Sequence, residues 1–373
     1  MKILFIQDTL INAGTENSLL QILPLVSADL EYKVVYFYSR HDLKIAYESA
    51  GIPMVFLDLK GKYDFWNGIK KLNNLIREEN ADLLVSSLLR SNLIARLVSF
   101  ISGVPLVGTF VSDSYGDVVV RNKSFLDLQK FKFFWLLDRF TAPIPKLYIS
   151  NSHFIAQSHV KTLGVPLEKN KVVYRGRKVP ERIWKKPANA GFVFLAYGRL
   201  LQIKGFEELI QAFAKINRKY PTSRLVIYGE GNHRPILERL VNELELTGKV
   251  ELPGVIPNVT VKLYEADCYV FPSWYEGFSG ALVEAMMSGI PIIASDIPMN
   301  LEAIKPDENA LVFPVRDIDK LTERMLQAIE QPSKMEQFGK AAREEAIRRF
   351  DIQVIAKQYE EVLRSAYQEY GRK

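Results

Sequence analysis

The chain has 373 residues, 48% of them hydrophobic and 25% charged, and carries a formal net charge of +6. Its length exceeds one ordinary hydrophobic core and favours two domains, and its composition excludes a disordered or low-complexity protein. The lone cysteine, Cys268, excludes an intrachain disulfide and a cysteine-rich metal site, and its apolar neighbours favour a buried thiol.

Apolar runs rich in β-branched residues alternate with helical patterns along the chain, which predicts parallel sheets with right-handed crossovers. In the first half, strands are predicted at Lys2–Gln7, Lys33–Phe37, Pro53–Leu57, Leu83–Ser86, Pro105–Phe110, Leu147–Ser150 and Lys171–Tyr174. In the second half, they are predicted at Phe192–Tyr197, Arg224–Tyr228, Val250–Leu252, Cys268–Phe271, Pro291–Ala294 and Ala310–Phe313.

The alternation restarts near residue 190, after a polar stretch that contains Pro and Gly and reads as a linker. We therefore predict an α/β protein with two Rossmann-like, doubly wound parallel-sheet domains that face a cleft, residues 1–182 and 183–350. Residues 351–373 are predicted to form a last helix, capped by Asp351 and ending near Tyr370.

The amino terminus and the apolar segments predict neither export nor membrane insertion. Met1–Gln7 reads as a short buried strand and lacks the longer apolar region of a signal peptide. The longest uncharged stretch, Leu97–Val111, is shorter than the ~20 residues of a membrane span and is broken by Gly103 and Pro105. These features predict a cytoplasmic protein.

The segment 275–289 has a Gly/Ser-rich turn between a strand and a short helix, with Glu276 before the helix and Glu284 inside it. Backbone amides at such a turn suit a phosphate, and carboxylates accept hydrogen bonds from hydroxyls. Even in one continuous helix, the glutamates would lie ~12 Å apart in rise, too far for a glycosidase pair. They are predicted to hold two parts of one extended ligand, such as a nucleotide sugar.

Two cations follow the first strand of the second half. Arg199 and Lys204 lie between the end of that strand and the start of a helical pattern, where they would clamp a diphosphate. The alternative is a solvated loop with two surface cations. Glu230 lies in a similar sharp turn, Gly229–Gly231, where a backbone can approach a ligand closely.

Other motifs are absent. No G-x-G-x-x-G occurs, which disfavours a dinucleotide-dependent dehydrogenase. The four histidines have no metal-binding spacing, and Asp317–Asp319 reads as a pair of helix-capping acids. Neither a metal nor a cofactor is predicted.

Three segments together, 275–295 with Glu276-x7-Glu284, 197–210 with Arg199-x4-Lys204, and 226–240, resemble retaining glycosyltransferases of family 4. The resemblance covers essentially the whole chain. It implies the GT-B fold, with two Rossmann-like domains around the donor and a last helix that crosses back to the first domain. It also implies a nucleotide-diphosphate sugar donor, with UDP favoured by its frequency in the family, and no metal.

The resemblance assigns roles to individual residues. Arg199 and Lys204 would bind the diphosphate and stabilise the leaving group, while Glu276 would hold hydroxyls of the sugar. The implied donor-binding residues are Gly14, Glu230, Val255, Ile256, Phe278, Ser279, Gly280 and Glu284. Among them, Glu284 would hold the ribose, Val255 and Ile256 would lie by the base, and Gly14 would let the first domain close on the donor.

The acceptor side of the chain departs from the family pattern. Ser112 stands where many members carry a histidine. Two alternatives follow: Asp113, the next residue, takes some of that role, or the acceptor geometry differs from that of the family. Two other interpretations are a non-catalytic nucleotide-sugar-binding protein of the same fold, and another GT-B enzyme such as an epimerase or a sucrose- or trehalose-type synthase.

Six basic and six aromatic residues are interleaved in residues 121–146. One interpretation is an amphipathic surface helix whose apolar face belongs to the core. The other is a patch that rests on the anionic inner face of a membrane or receives a lipid-linked acceptor. Nucleic acid is disfavoured as a partner, because the chain carries no recognised nucleic-acid-binding motif.

Overall fold

The computed structural model describes residues 1–116, 124–188 and 190–371. The chain divides into two compact units, Met1–Gly176 together with Ile352–Lys373, and Arg177–Asp351. The division falls a few residues before the predicted boundary at 182, because the Arg177 amide already donates to the carbonyl oxygen of Phe350 (2.9 Å) inside the second unit. Within the described ranges, no helix is long and apolar enough to cross a membrane.

The first unit contains a seven-stranded parallel sheet with strand order β3-β2-β1-β4-β5-β6-β7. Its strands are β1 (Lys2–Gln7), β2 (Glu31–Tyr36), β3 (Met54–Phe56), β4 (Leu83–Ser87), β5 (Leu106–Phe110), β6 (Leu147–Ser150) and β7 (Asn170–Val172). Every residue of β4, β5 and β6 is buried, as expected where helices cover both faces of a parallel sheet.

The helices of the first unit connect and cover these strands. They are α1 (Gly14–Ile22), α2 (Lys44–Ser49), α3 (Phe65–Glu79), α4 (Leu89–Ser102), α5 (Phe125–Thr141), α6 (His153–Leu163) and, at the end of the chain, α13 (Ile352–Tyr370). Helix α5 lies within the basic and aromatic segment 121–146. Arg121 and Lys123, two of that segment's cations, lie outside the described residues.

Helix α13 completes the core of the first unit. Ile355 and Leu363 are buried there beside Phe5 of β1, and the ring of Tyr359 stacks on that of Phe5 with centroids 6.4 Å apart. The first unit is thus built from both ends of the described chain, and the predicted last helix is confirmed with its expected start and end.

The second unit contains a six-stranded parallel sheet with strand order β10-β9-β8-β11-β12-β13. Its strands are β8 (Val193–Tyr197), β9 (Arg224–Tyr228), β10 (Val250–Gly254), β11 (Cys268–Phe271), β12 (Ile292–Ser295) and β13 (Leu311–Phe313). Its helices are α7 (Phe206–Lys219), α8 (Arg234–Glu243), α9 (Gly280–Ser288), α10 (Pro298–Leu301), α11 (Ile318–Glu330) and α12 (Pro332–Phe350).

The two sheets confirm the predicted α/β class. All thirteen predicted strands are present with ends within two residues of the prediction, and every pairing between them is parallel. Cys268 is a buried free thiol in β11, also as expected.

The contribution of α13 to the first unit is testable with Leu363→Ala. Because Leu363 is 1% exposed, its truncation leaves a cavity and is expected to lower the free energy of unfolding of this unit by about 2–5 kcal/mol. Urea unfolding followed by circular dichroism measures the change. Ser365→Ala, at an exposed position of the same helix, is the control, and equal midpoints for the two variants would contradict the assigned packing.

Candidate functional site

The candidate site of the second unit lies where the strand order of its sheet reverses. β8 and β11 are neighbours in the sheet, with Cys268 beside Phe194, although two strands separate them in the chain. In parallel sheets the carboxyl ends of strands share one edge, and a ligand crevice forms there at the reversal. The loops after β8 and β11 carry Arg199, Lys204, Glu276 and the start of α9 to this edge.

The loops after β8 and β11 are joined by two contacts. The Trp274 amide donates to the carbonyl oxygen of Ile203 (2.8 Å), and the ammonium of Lys204 forms an ion pair with Glu276 Oε1. The sequence resemblance assigns Lys204 and Glu276 to different parts of a ligand, and the structure brings the two side chains together. The Arg199 side chain is exposed and has no hydrogen-bond or ion-pair partner among the described residues. Arg199 is therefore accessible to an anion.

Glu284 projects from α9 and is held by two side chains of the same unit. Arg177 Nε donates to Glu284 Oε1 (2.6 Å), and the hydroxyl of Tyr197 donates to Oε2 (3.0 Å). Burial, reinforced by the carboxylate of Glu284, raises the pKa of Tyr197 well above its ordinary value, so the hydroxyl keeps its proton and remains a donor. These contacts supply the partner that a carboxylate on an apolar helix requires.

The amino-terminal turn of α9 is an anion-binding geometry. The hydroxyl of Ser279 caps the helix by accepting from the Leu282 amide (3.3 Å). In the described part of the chain, the amides of Gly280 and Ala281 have no acceptor. A Cβ at Gly280 would lie 1.7 Å from Nη2 of Arg177, so glycine is what lets the guanidinium lie over the turn. Free amides and a positive helix end together favour a phosphate.

Phe278 contributes to this turn through its backbone. Its side chain is 1% exposed and packs against Phe350, with ring centroids 5.3 Å apart. The buried ring fixes the loop between Glu276 and α9, which gives Phe278 a positioning role at the phosphate-binding turn.

The remaining predicted donor-binding residues follow the next two strands of the sheet. Glu230 follows β9, and its carboxylate accepts from Arg234 Nη1 (2.6 Å). Val255 and Ile256 follow β10, and the side chain of Val255 is exposed, which is unusual for a valine. An exposed apolar side chain at this edge is suited to contact with a planar ring.

Two residues of the site, Arg177 and Tyr197, were missed in the sequence analysis. Arg177 was placed in a linker, and Tyr197 was treated only as the last residue of a strand. The one available signal was the apolar surroundings of Glu284, which required a partner without indicating where in the chain it lies. Arg177 is 107 positions away from Glu284, and only the fold brings them together.

In the first unit, Gly14 begins α1 after β1. A Cβ at Gly14 would lie 2.7 Å from the guanidinium of Arg175, the flexible end of that side chain, which would have to shift to admit it. Two residues further on, Glu16 is 1% exposed, and its Oε1 has no hydrogen-bond partner among the described residues. Burial, with a smaller contribution from the carboxylate of Asp8, raises the pKa of Glu16 to about 7.

Ser112 and Asp113 follow β5 of the first unit. Asp113 is buried, and its Oδ1 accepts from the hydroxyl of Ser158 (2.5 Å), which anchors the loop. Ser112 lines a small, partly open cavity together with Asn92, Tyr115, Asp138 and His159. The structure therefore places Ser112 at a polar cavity and gives Asp113 a supporting contact beneath it.

His159 brings an imidazole to the cavity that Ser112 lines. Its Nδ1–H donates to the carbonyl oxygen of Ile155 (2.8 Å), and its ring stacks on Phe110 with centroids 3.8 Å apart. Burial lowers the pKa of His159, which favours the neutral ring, and Nε2 is then a hydrogen-bond acceptor. Among the described residues, no group of three or more His, Cys, Asp or Glu side chains is arranged to hold a metal ion.

Two family models match the chain in succession. Residues 14–179 match the model described as Glycosyltransferase Family 4, and residues 179–345 match the one described as Glycosyl transferases group 1. The fold matches that of HepE from Anabaena, solved in complex with UDP-glucose, with a TM-score of 0.83 and 22% identity over 98% of this chain and 100% of HepE. The fold class is therefore GT-B.

Among curated proteins, an uncharacterized glycosyltransferase of Methanocaldococcus jannaschii is 33% identical over 40% of this chain and 37% of its own length. The capsular polysaccharide biosynthesis glycosyltransferase CapH of Staphylococcus aureus is 25% identical over 81% of this chain and 83% of its own. The chain spans less than half of the length of the first curated relatives that it matches. With both family models matched, the chain belongs to glycosyltransferase family 4.

The buried carboxyl of Glu16 predicts a pH-dependent stability. Because its pKa is about 7 in the folded state and 4.5 in the unfolded chain, its stabilising effect is fully present below pH 4.5 and is lost as the pH rises through 7. We expect Glu16→Gln to weaken the fall in melting temperature between pH 5 and pH 8, measured by differential scanning calorimetry. Glu361→Gln, at an exposed position of the same unit, should keep the wild-type profile. If the melting temperatures of the wild type and both variants changed in the same way with pH, the proposed effect of Glu16 on stability would be ruled out.

Proposed function

We propose that the protein is a retaining glycosyltransferase that transfers a sugar from a UDP-sugar to a glycan or lipid-linked acceptor in the synthesis of a cell-envelope polysaccharide or glycolipid. The observation that carries the proposal is the cluster at the carboxyl edge of the second sheet. There Lys204 and Glu276 lie with Arg199 and the first amides of α9, which have no partner among the residues that the structure describes. The family membership, the UDP-glucose complex of HepE and the name of CapH support it.

We propose that the donor lies along the carboxyl edge of the second sheet, with its base at one end and its sugar at the other. Val255 and Ile256 contact the base, and Glu284 accepts hydrogen bonds from the ribose while Arg177 and Tyr197 hold its carboxylate. The diphosphate is bound by Arg199, Lys204 and the amides of Gly280 and Ala281. Glu276 accepts from sugar hydroxyls, and Ser112 lines the acceptor side.

The chemistry follows from where charge develops. Breaking the bond between the anomeric carbon and the phosphate places negative charge on the departing UDP. Preorganised cations stabilise that charge more in the transition state than in the ground state. Lys204 is paired with Glu276, which fixes the position of its ammonium group. We propose that the ammonium of Lys204 binds the diphosphate in place of Glu276 when the donor is bound. We also propose that the chain's own cations stabilise the leaving group without a resident metal or cofactor.

Retention of the anomeric configuration is proposed to occur by attack on the same face that the diphosphate leaves. In that mechanism the departing phosphate oxygen takes the proton of the acceptor hydroxyl. The assigned role of Glu276, which accepts hydrogen bonds from the sugar hydroxyls, is therefore to hold and orient the donor.

A thermal-shift screen of nucleotide sugars tests the proposed donor. A ligand present at 100 times its dissociation constant adds ~2.7 kcal/mol of stability. We expect UDP and UDP-sugars to raise the melting temperature and UMP to have a weaker effect, because the cluster binds a diphosphate. Arg199→Ala should reduce the stabilisation by UDP. No shift with UDP, GDP, ADP or their sugars would contradict the proposed donor class.

Lys204→Ala tests whether this cation acts mainly in the transition state. We expect turnover to fall roughly 10²–10³-fold, while the affinity for UDP falls much less. Release of UDP from the UDP-sugar gives the rate, and isothermal titration gives the affinity. Lys340→Ala, at an exposed position of α12, is the matched control. Equal losses in turnover and affinity would assign Lys204 to simple binding.

Two other functions fit the same edge. A non-catalytic nucleotide-sugar-binding protein would bind UDP without releasing it from the UDP-sugar, which mass spectrometry of the reaction mixture detects. An epimerase or a sucrose- or trehalose-type synthase would be recognised by its product with small acceptors. The retained cluster of cations and carboxylates favours transfer over binding alone.

A further inference from the structure

Helix α5 of the first unit exposes an apolar stripe. Leu126, Phe133, Leu137 and Phe140 recur at spacings of three, four and seven residues, which places them on one side of the helix. All four are exposed, and Phe140 is 80% exposed. The opposite side of α5 carries the buried Asp138 and the partly buried Trp135. It is this side of the helix, and not the apolar stripe, that packs against the core.

The stripe continues onto helix α4. Arg96 of α4 donates through Nη1 to Asp138 Oδ1 (2.5 Å) and to the hydroxyl of Thr141 (2.9 Å), which fixes α4 beside the end of α5. Phe100 lies one turn beyond Arg96 and is 76% exposed, and its neighbour Ile101 is exposed as well. The carboxyl-terminal turns of α4 and α5 thus carry exposed apolar side chains next to each other.

A third part of the apolar surface comes from the start of α3. The ring of Tyr63 stacks on Phe134 of α5 with centroids 6.0 Å apart, and Phe134 in turn contacts the exposed Phe133 (5.5 Å). Trp66, in the first turn of α3, is 80% exposed. We call the surface formed by the exposed apolar residues of α3, of the loop before it, and of α4 and α5 the apolar face: Tyr63, Trp66, Leu97, Phe100, Ile101, Leu126, Phe133, Leu136, Leu137 and Phe140.

The exposed charges around the apolar face are predominantly positive. Lys130 lies within the stripe of α5, and Lys132 lies beside it, against one exposed acid of this helix, Asp127. Lys60 and Lys62 precede Tyr63 and are also exposed. Long basic side chains beside exposed aromatic rings suit an interface with an anionic lipid surface, where the ammonium reaches the headgroups while the ring and stem lie deeper.

We propose that the apolar face docks on the anionic surface of a lipid bilayer, with Trp66, Phe100 and Phe140 inserted at the level of the headgroups. Monomeric soluble proteins rarely leave so large a contiguous apolar surface in water. The excess of lysine favours lipid over a second copy of this chain, since two like-charged faces would repel each other. This proposal concerns a face outside the donor site and does not depend on the proposed reaction.

Flotation with lipid vesicles tests the proposal on the full chain. We expect the protein to float with vesicles of phosphatidylcholine and phosphatidylglycerol and much less with phosphatidylcholine alone, and added salt should weaken binding. Phe100→Ser/Phe140→Ser should weaken binding by roughly tenfold or more. The matched control is Ile45→Ser, because Ile45 is 77% exposed on α2 of the same unit and lies outside the apolar face.

A charge reversal tests the electrostatic part of the proposed membrane binding. Lys130→Glu should weaken binding to the anionic vesicles several-fold, whereas Lys357→Glu, an equal change at an exposed position of α13, should leave it unchanged. Melting temperatures with and without UDP, measured on every variant, show whether each protein is folded and keep a failure here separate from a failure of the proposed donor site.

Three results would overturn the proposal. One is the absence of flotation with anionic vesicles. Another is an equal loss in the Ile45→Ser or Lys357→Glu control. The third is a dimer in sedimentation velocity that Phe100→Ser/Phe140→Ser dissociates, because a second copy of the chain would then cover the apolar face.

Discussion

The parallel pairing of β8 with β11 is the constraint on which the candidate site depends. Strands that run in the same direction end at the same edge, so this pairing brings the loop after Tyr197 beside the loop after Phe271. The ion pair between Lys204 and Glu276 is a consequence of that register. A shift of one residue in β11 would turn its side chains to the opposite face of the sheet and move Glu276 away from Lys204.

Charge compensation shapes the same edge. Glu284 lies on a helix whose other side chains are largely apolar, and it is balanced by Arg177 and by the hydroxyl of Tyr197. Lys204 is balanced by Glu276, whereas Arg199 remains uncompensated among the described residues. An edge with one cation left over and two free helix amides has a net preference for an anion, which is what the arrangement offers a ligand.

The sequence was sufficient to predict the strands, because each is a short apolar run between polar turns and the parallel sheets bury both of its faces. It also located Glu276, Glu284, Arg199 and Lys204, which lie in short loops attached to those strands. It could not identify Arg177 as the partner of Glu284, since long-range pairing leaves no periodic signal in either segment. The sequence does not decide between the two interpretations of α5. An apolar stripe by itself predicts burial, and whether its aromatic side chains are exposed depends on how the helix packs against α4.

The discontinuity of the first unit has a consequence for biosynthesis. Its core is closed by α13, which is synthesised after all of the second unit, whereas the second unit is continuous from Arg177 to Asp351. During translation the first unit therefore remains incomplete until α13 has been synthesised, because the positions that Ile355 and Leu363 occupy in its core are still empty. The second unit has all of its residues before that point. The order in which the two units are completed is thus the reverse of the order in which their synthesis begins.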